Sequence, residues 1–158
     1  MADKLVARPV EPGDVSHVAY NLCELERETL REMHGPNVDF RNMVAEHVLR
    51  SRPVRAVAKA GGHQPALALV GVIPLSLLRG TGSIWFLATD AAFERPGRLV
   101  RPSRGYIQEL LTQYEQLENK VDARRTGVVR WLRFMGFTVH EPVQEGALAF
   151  VHSEIRAH

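Results

Sequence analysis

The order of elements read along the chain, β-α-α-β-β-β-α-β-α-β-β, predicts an α+β (mixed α/β) fold. Its expected form is a central mixed, twisted sheet of about seven strands flanked by four helices, in one domain over residues 1–158. Three observations carry this. Hydrophobic residues are 45% and charged residues 24% of the 158, enough apolar side chain for one core. Two early apolar runs, "VRAVAKA" and "ALALVGVIPL", read as strands, the second buried on both faces. Downstream, strands alternate with helical patterns, which adds a β-α-β crossover to the meander.

"LVARPV" (5–10) reads as the first strand. "EPGD" turns the chain, with Asp14 as an N-cap. Val15, Val18, Leu22 and Leu25 recur at helical spacing, so one helix is expected to run to about Met33. "HGP" stops it. A second helix covers roughly 37–50, with Phe40, Met43, Val44, His47 and Val48 on one face. There His47 reads as a core histidine, not a ligand. After "VRAVAKA", "GGHQ" is a hairpin signal. "GTG" turns again, and "SIWFLAT" (83–89) is a further central strand. An arginine-rich loop is expected over 90–102. Ser103 can cap a helix with the stripe Ile107, Leu110, Leu111, Tyr114 and Leu117. "NKVD" is strand-like. "VDARRTGVVRWLRFMGF" (121–137) reads as strand end, helix and a glycine stop at Gly136. Val128, Trp131 and Met135 are placed on its apolar face. "FTVHE" and "ALAFVHS" close the chain as two strands around a turn at Glu145-Gly146.

Several function classes drop out. Lys+Arg of 20 against Asp+Glu of 18 leaves a net charge of +2, and aromatic residues are not interleaved with the arginines, so no nucleic-acid partner is expected. Cys23 is the one cysteine, which excludes an internal disulfide and reads as a small core residue. The seven histidines show no metal-ligand spacing, so no metal is expected. No Gly-x-Ser-x-Gly elbow and no P-loop occur. "MADKLVARPV" lacks the apolar core of a signal peptide, and "PALALVGVIPLSLL" is interrupted by Pro74 and too short to span a bilayer. No membrane partner and a soluble intracellular protein are the expectation.

Two motifs carry a family resemblance. "ARPVEPGDV" has the form Arg-Pro-x-x-x-x-Asp. In "VDARRTGVVRWLRFMGF", Val121, Val128, Val129, Gly136 and Phe137 match Val-x-x-x-Asn-x-x-Ala-Ile-x-Leu-Tyr-x-Lys-x-Gly-Phe in spacing. With the element order, the chain resembles the GNAT superfamily of acyl-CoA-dependent N-acyltransferases over nearly its whole length. "IWFLAT", "YEQLENKVDAR" and "WLRFMGF" further resemble a divergent group of such proteins encoded by podovirus-type tailed phages. That would place the protein in the host cytoplasm or in the virion.

The resemblance implies acetyl-CoA as cofactor and a small-molecule or protein amine as acceptor. It places Phe86, Leu87 and Ala88 of the splayed fourth strand along the pantetheine arm, with a backbone amide there facing the thioester carbonyl. It expects a Gln/Arg-x-x-Gly-x-Gly/Ala loop at a helix start to hold the pyrophosphate. "RLVRPS" (98–103) and "RPSRGY" (101–106) are the candidates. They put Arg101 or Arg104 where the first glycine belongs, and Pro102 has no N–H. Arg98, Arg101, Ser103, Arg104 and Gly105, with Arg125 at the family's asparagine position, form the candidate cofactor set. Those arginines read either as phosphate ligands or as a solvated basic face. The family's acid, a tyrosine, falls on Leu132, which cannot donate a proton. Glu24, Glu28 and Glu32 on the first helix and Asp90 past the fourth strand are candidate bases, all equally readable as solvated surface. No catalytic residue is assigned. The expectation is a protein with a degenerate acetyl-CoA site that acts by binding a host protein or enzyme. The alternatives are an active N-acetyltransferase with an arginine-built cofactor site and an internal virion component. The family also supplies the homodimer as an arrangement.

Overall fold

In the computed structural model the described residues are 4–95 and 97–158. They form five α-helices, one short 3-10 helix and eight strands in a mixed sheet of order β1-β2-β3-β4-β5-β8-β6, with β7 paired to β8. The eight strands agree with the expected sheet of about seven, and the helices number five where four were expected. Packing divides the described residues into two compact units, those within Met1–Ile73 and Trp85–Leu99, and those within Pro74–Ile84 and Val100–His158. Strands β3 (Ala68–Ser76) and β4 (Thr81–Ala88) contribute residues to both.

In the first unit, β1 (Leu5–Arg8) pairs antiparallel with β2 (Val54–Lys59), which pairs antiparallel with β3. The Arg-Pro-x-x-x-x-Asp motif explains the connection out of β1. Arg8 Nη1 and Nη2 donate to Asp14 Oδ2 and Oδ1 at 2.8 and 3.0 Å. Asp14 Oδ2 also accepts from Glu11 N–H at 2.7 Å. Asp14 is therefore not the N-cap. Gly13 holds that position with φ +93°, and the buried Asp14 begins α1 (Asp14–Tyr20). Arg8 Nη2 reaches on to the carbonyl of Gln64 at 3.2 Å, tying in the β2–β3 loop.

The single helix expected to Met33 is two, α1 and α2 (Glu24–His34). The break at Leu22 and Cys23 has a tertiary cause. Leu22 bridges Thr89, and Cys23 N–H donates to the Ala88 carbonyl at 3.2 Å, so these residues leave the helix to join the end of β4. Helix α3 (Phe40–Arg50) begins at Asp39, whose side chain caps Asn42 N–H at 3.0 Å. The core here gathers Val18, Leu22, Val44, Leu69, Trp85 and Leu87. Trp85 Nε1–H donates to Ser51 Oγ at 2.7 Å, Ser51 Oγ–H donates to the His47 carbonyl at 2.6 Å, and the His47 ring stands edge-on to Trp85. His47 is thus a satisfied, half-buried packing residue. The indole lies over Gly71, where a Cβ would meet Trp85 Cζ2 at 2.7 Å and Ser51 Oγ at 2.9 Å.

In the second unit, β5 (Gln116–Asp122) and β8 (Leu148–Arg156) form the longest ladder, from Gln116↔Arg156 to Asp122↔Phe150. Leu117 belongs to this strand and not to the preceding helix, where the apolar spacing had placed it. β6 (Thr138–Val139) and β7 (Val143–Glu145) also pair with β8, so "FTVHE" supplies only a short strand and β7 is additional. Gly146 turns the β7–β8 hairpin with φ +63°.

Helix α4 (Gly97–Leu110) starts six residues before the expected Ser103. The expected loop is instead a 3-10 turn, Asp90–Phe93, and the helix's first turns. Pro102 sits inside the helix, beyond its first turn, and cannot donate the i→i−4 hydrogen bond to the Arg98 carbonyl. Helix α5 (Thr126–Met135) ends as the sequence predicts. Gly136 has φ +102°, its N–H donates to the Arg133 carbonyl at 3.1 Å, and Phe137 N–H donates to the Leu132 carbonyl at 3.0 Å, the Schellman pattern.

Two stability experiments follow from this packing. Gly71→Ala forces the indole or Ser51 to move, and a lower thermal midpoint equivalent to about 1–3 kcal/mol is expected. For Asp14, burial is the largest effect and opposes ionisation. The Arg8 hydrogen bonds, the Glu11 N–H and the charges of Arg8 and His17 together outweigh it and hold the carboxyl below its ordinary pKa. A depressed carboxyl pKa stabilises the fold above the unfolded value of about 3.9 and loses that contribution as pH falls through the folded value. The stability gap between the wild type and Asp14→Asn, measured by urea unfolding, is therefore expected to be full at pH 6 to 7 (about 3 kcal/mol) and to close below about pH 4.

Candidate functional site

The candidate cofactor residues fall in both units. In the first, Phe86, Leu87 and Ala88 are the last residues of β4. Leu87 and Ala88 are buried, and Phe86 packs edge-on to Phe93. The Ala88 carbonyl is taken by Cys23 N–H. Arg98, in the first turn of α4, folds back so that Nη2–H donates to the Ala91 carbonyl at 3.5 Å. Its Nε–H is buried without a hydrogen-bond partner. A buried guanidinium donor left unpaired is expensive, and a water or an anion would satisfy it.

The remainder lie in the second unit. Ser103 is buried inside α4, where its Oγ–H donates to the Val100 carbonyl at 2.6 Å and its Oγ accepts from Trp131 Nε1–H at 2.9 Å. Trp131 is half-buried and turned toward α4, while Val129, Leu132 and Met135 line the buried face of α5. At the next position, Arg104 Nε–H donates to the Phe134 carbonyl at 2.8 Å, with the guanidinium carbon 4.3 Å from the Phe134 ring centroid. That carbonyl belongs to the last turn of α5, where cationic donors are favoured. Arg104 is thus held by the protein. Arg101 and Gly105 are exposed on α4. Arg125 is the residue before α5, and its carbonyl receives Val128 and Val129 N–H. Arg104 and Arg125 are therefore at opposite ends of α5, roughly 14 Å of helix apart, and are not brought together. Leu132, at the family's tyrosine position, is buried.

Sequence reasoning missed Gly97. The α4 N-terminus falls there, so the N–H groups that open the helix belong to "GRLV" and precede Pro102. One of them, Arg98 N–H, bonds the Arg95 carbonyl at 3.0 Å. The signal in the sequence was Pro96-Gly97, a turn dipeptide that the run of arginines beyond it obscured. With the helix starting at Gly97, the missing glycine of the two frames and the missing N–H of Pro102 no longer fall at its opening. The donor set of Arg98 and the first turn of α4 fits a phosphate group.

Among the candidate bases, Glu24 is paired with Arg31 at 3.3 Å and Arg27 at 3.7 Å. Asp90 is exposed and lines a cleft of about 380 Å³ in the first unit with His17, Asn21, Lys59, Thr89 and Glu94. A second cleft, about 310 Å³, lies in the second unit between α5 and the β6–β7 connection, with Arg130 and Arg133 on its wall. One rung past the parallel pairing of Ser83 with Glu118, Asn119 Nδ2–H donates to the Ile84 carbonyl at 2.9 Å. Among the described residues no His, Cys, Asp or Glu group could hold a metal, and no helix is long and apolar enough to cross a membrane.

No family model and no curated protein matches the chain. Solved structures do match. It is similar to the GNAT-family acetyltransferase from Bacillus anthracis, at 14% identity and TM-score 0.72 over 99% of this chain and 96% of that one. It is also similar to the spermidine N-acetyltransferase from Vibrio cholerae in complex with CoA and spermine, at 13% identity and TM-score 0.68 over 97% and 95%. A third is a putative acetyltransferase from Salmonella typhimurium with its cofactor acetyl-CoA, at 15% identity and TM-score 0.63 over 98% and 94%. The chain has the GNAT fold.

If Arg104 is a structural clamp, Arg104→Ala loses a helix-end hydrogen bond and a cation–π contact. Urea unfolding is expected to show a loss of about 1–2 kcal/mol, with Arg104→Lys in between.

Proposed function

We propose that this protein is an acyl-CoA-dependent N-acyltransferase whose cofactor phosphates are held by Arg98 and the first turn of α4. The observation that carries the reading is the buried, unpartnered Nε–H of Arg98 at the helix opening. The fold shared with acetyltransferases whose structures hold CoA or acetyl-CoA supports it. Bound there, acetyl-CoA supplies an acetyl group activated as a thioester. The helix opening and the guanidinium bind the phosphates through charge-assisted hydrogen bonds. A backbone N–H within Phe86–Ala88 is the donor for the negative charge that develops on the thioester oxygen. Leu132 leaves no acid at the position where the resemblance places a tyrosine, so the departing thiolate takes its proton from solvent. The rate then rests mainly on positioning the amine against the thioester.

A second reading is a binding protein that acts on a host enzyme and transfers no acyl group. It draws on Leu132, and on the occupation of Ser103 and Arg104 by the contact with α5.

Calorimetric titration with acetyl-CoA tests the first reading. Binding is expected to weaken by about tenfold to a hundredfold in Arg98→Ala. Arg104→Ala, though less stable, should leave affinity nearly unchanged. No binding at millimolar acetyl-CoA would overturn it. Binding without turnover of any amine in a broad panel would favour the second reading.

A further inference from the structure

The cleft in the first unit carries opposite charges that do not pair. Lys59 stands at the end of β2 and lines one part, while Asp90 and Glu94, just beyond β4, line another. Among the described residues, none of the three makes an ion pair or a side-chain hydrogen bond. The frame of the cleft is held by hydrogen bonds. Thr89 N–H and Oγ1–H both donate to the Leu67 carbonyl, at 2.9 and 2.8 Å, and fix the floor of the cleft. Leu22 bridges Thr89 from the helix side. The Gln64 carbonyl is held by Arg8, which is locked to Asp14. Asn21 Nδ2–H donates to the His17 carbonyl at 2.8 Å, closing the wall made by α1. The result is a cleft of about 380 Å³, within the roughly 300–1,000 Å³ of small-molecule sites, with Lys59, Asp90 and Glu94 among its lining residues.

We infer that this cleft binds a small molecule bearing a carboxylate and two cationic groups, of the chemical class of a basic α-amino acid. The carboxylate is the complement of Lys59, and the ammonium groups are the complements of Asp90 and Glu94. Two carboxylates against one ammonium leave the cleft with an excess negative charge, which a ligand of net charge +1 neutralises and a simple zwitterion does not. His17 and the Asn21 amide add hydrogen-bonding capacity at the rim. The binding stands independently of catalysis. Its meaning as the acceptor amine rests on the acyltransferase reading above, which it sharpens by naming the acceptor's class.

Titration of the full chain with L-lysine, in the absence of any CoA compound, is the test. Three control ligands each lack one group: 1,5-diaminopentane has no carboxylate, L-norleucine has no side-chain cation, and L-glutamate has the wrong side-chain charge. L-Lysine is expected to bind more tightly than all three. Lys59→Gln should weaken L-lysine by about tenfold without weakening 1,5-diaminopentane, and Asp90→Asn with Glu94→Gln should weaken both. Circular dichroism establishes that the variants fold. Chemical-shift changes induced by L-lysine in the wild-type protein, expected at residues 59, 89–91 and 94, locate the site without any variant. No binding at millimolar L-lysine, binding unaffected by Lys59→Gln, or shifts confined elsewhere overturns the inference. Acetyl-CoA affinity is expected to be unchanged in Lys59→Gln, so loss of amino-acid binding and loss of acetyl-CoA binding are separate results.

Discussion

The backbone junction at Ala88 and Thr89 is the constraint on which the first unit depends. Three hydrogen bonds and one strand-like bridge meet in two residues. Ala88 accepts from Cys23, Thr89 bridges Leu22, and Thr89 donates twice to Leu67. The junction interrupts a segment that is helical by composition and anchors the end of β4. It also fixes the start of the turn that carries Asp90 and Glu94. Both Thr89 and Leu22 are buried, so these bonds are shielded from water and hard to exchange for solvent. The Arg8–Asp14 pair does the equivalent work on the other side of α1, where a nearly buried carboxylate is satisfied by a bidentate guanidinium and one backbone N–H.

In the second unit the contact between α4 and α5 sorts the arginines by role. Arg104 closes the end of α5, and Ser103 receives the Trp131 indole. Residues whose types suggested a phosphate site thus serve helix packing, and their neighbour Arg98, in the first turn of α4, keeps a donor without a partner. A guanidinium's value as an anion ligand lies in its free N–H groups. An arginine already bonded to a helix-end carbonyl has fewer to offer, whatever the local density of positive charge.

Much of the architecture was legible in the chain. Strand positions followed from alternation and from the long apolar run, because each reflects local burial. The stop at Gly136 was readable because only a residue tolerant of positive φ closes a helix in that way. The Arg-Pro-x-x-x-x-Asp motif was recognisable, although its reason, a side-chain pair across a turn, differs from the capping role first given to Asp14. The candidate site was less legible. Ser103 resembled a helix cap because it follows a proline and precedes a clean apolar stripe. The helix in fact runs through that proline from Gly97, since Leu99 and Ser103 both face inward one turn apart. The reading of Leu117 as helical failed for a related reason. Its position continues the stripe of α4, but strand pairing with Ile155 claims it.

By itself, then, the sequence determined where most strands and helices lie, where glycine ends the last helix, and that leucine stands at position 132. These are properties of single residues and of short-range periodicity. The tertiary structure decided where the first helix breaks, which arginines have partners, and which charges line one cleft without pairing. Each of those depends on groups far apart in the chain, Leu22 with Thr89, Arg104 with Phe134, Lys59 with Asp90. Their proximity is set by sheet order and by the bonds that anchor the loops, and no local pattern encodes it.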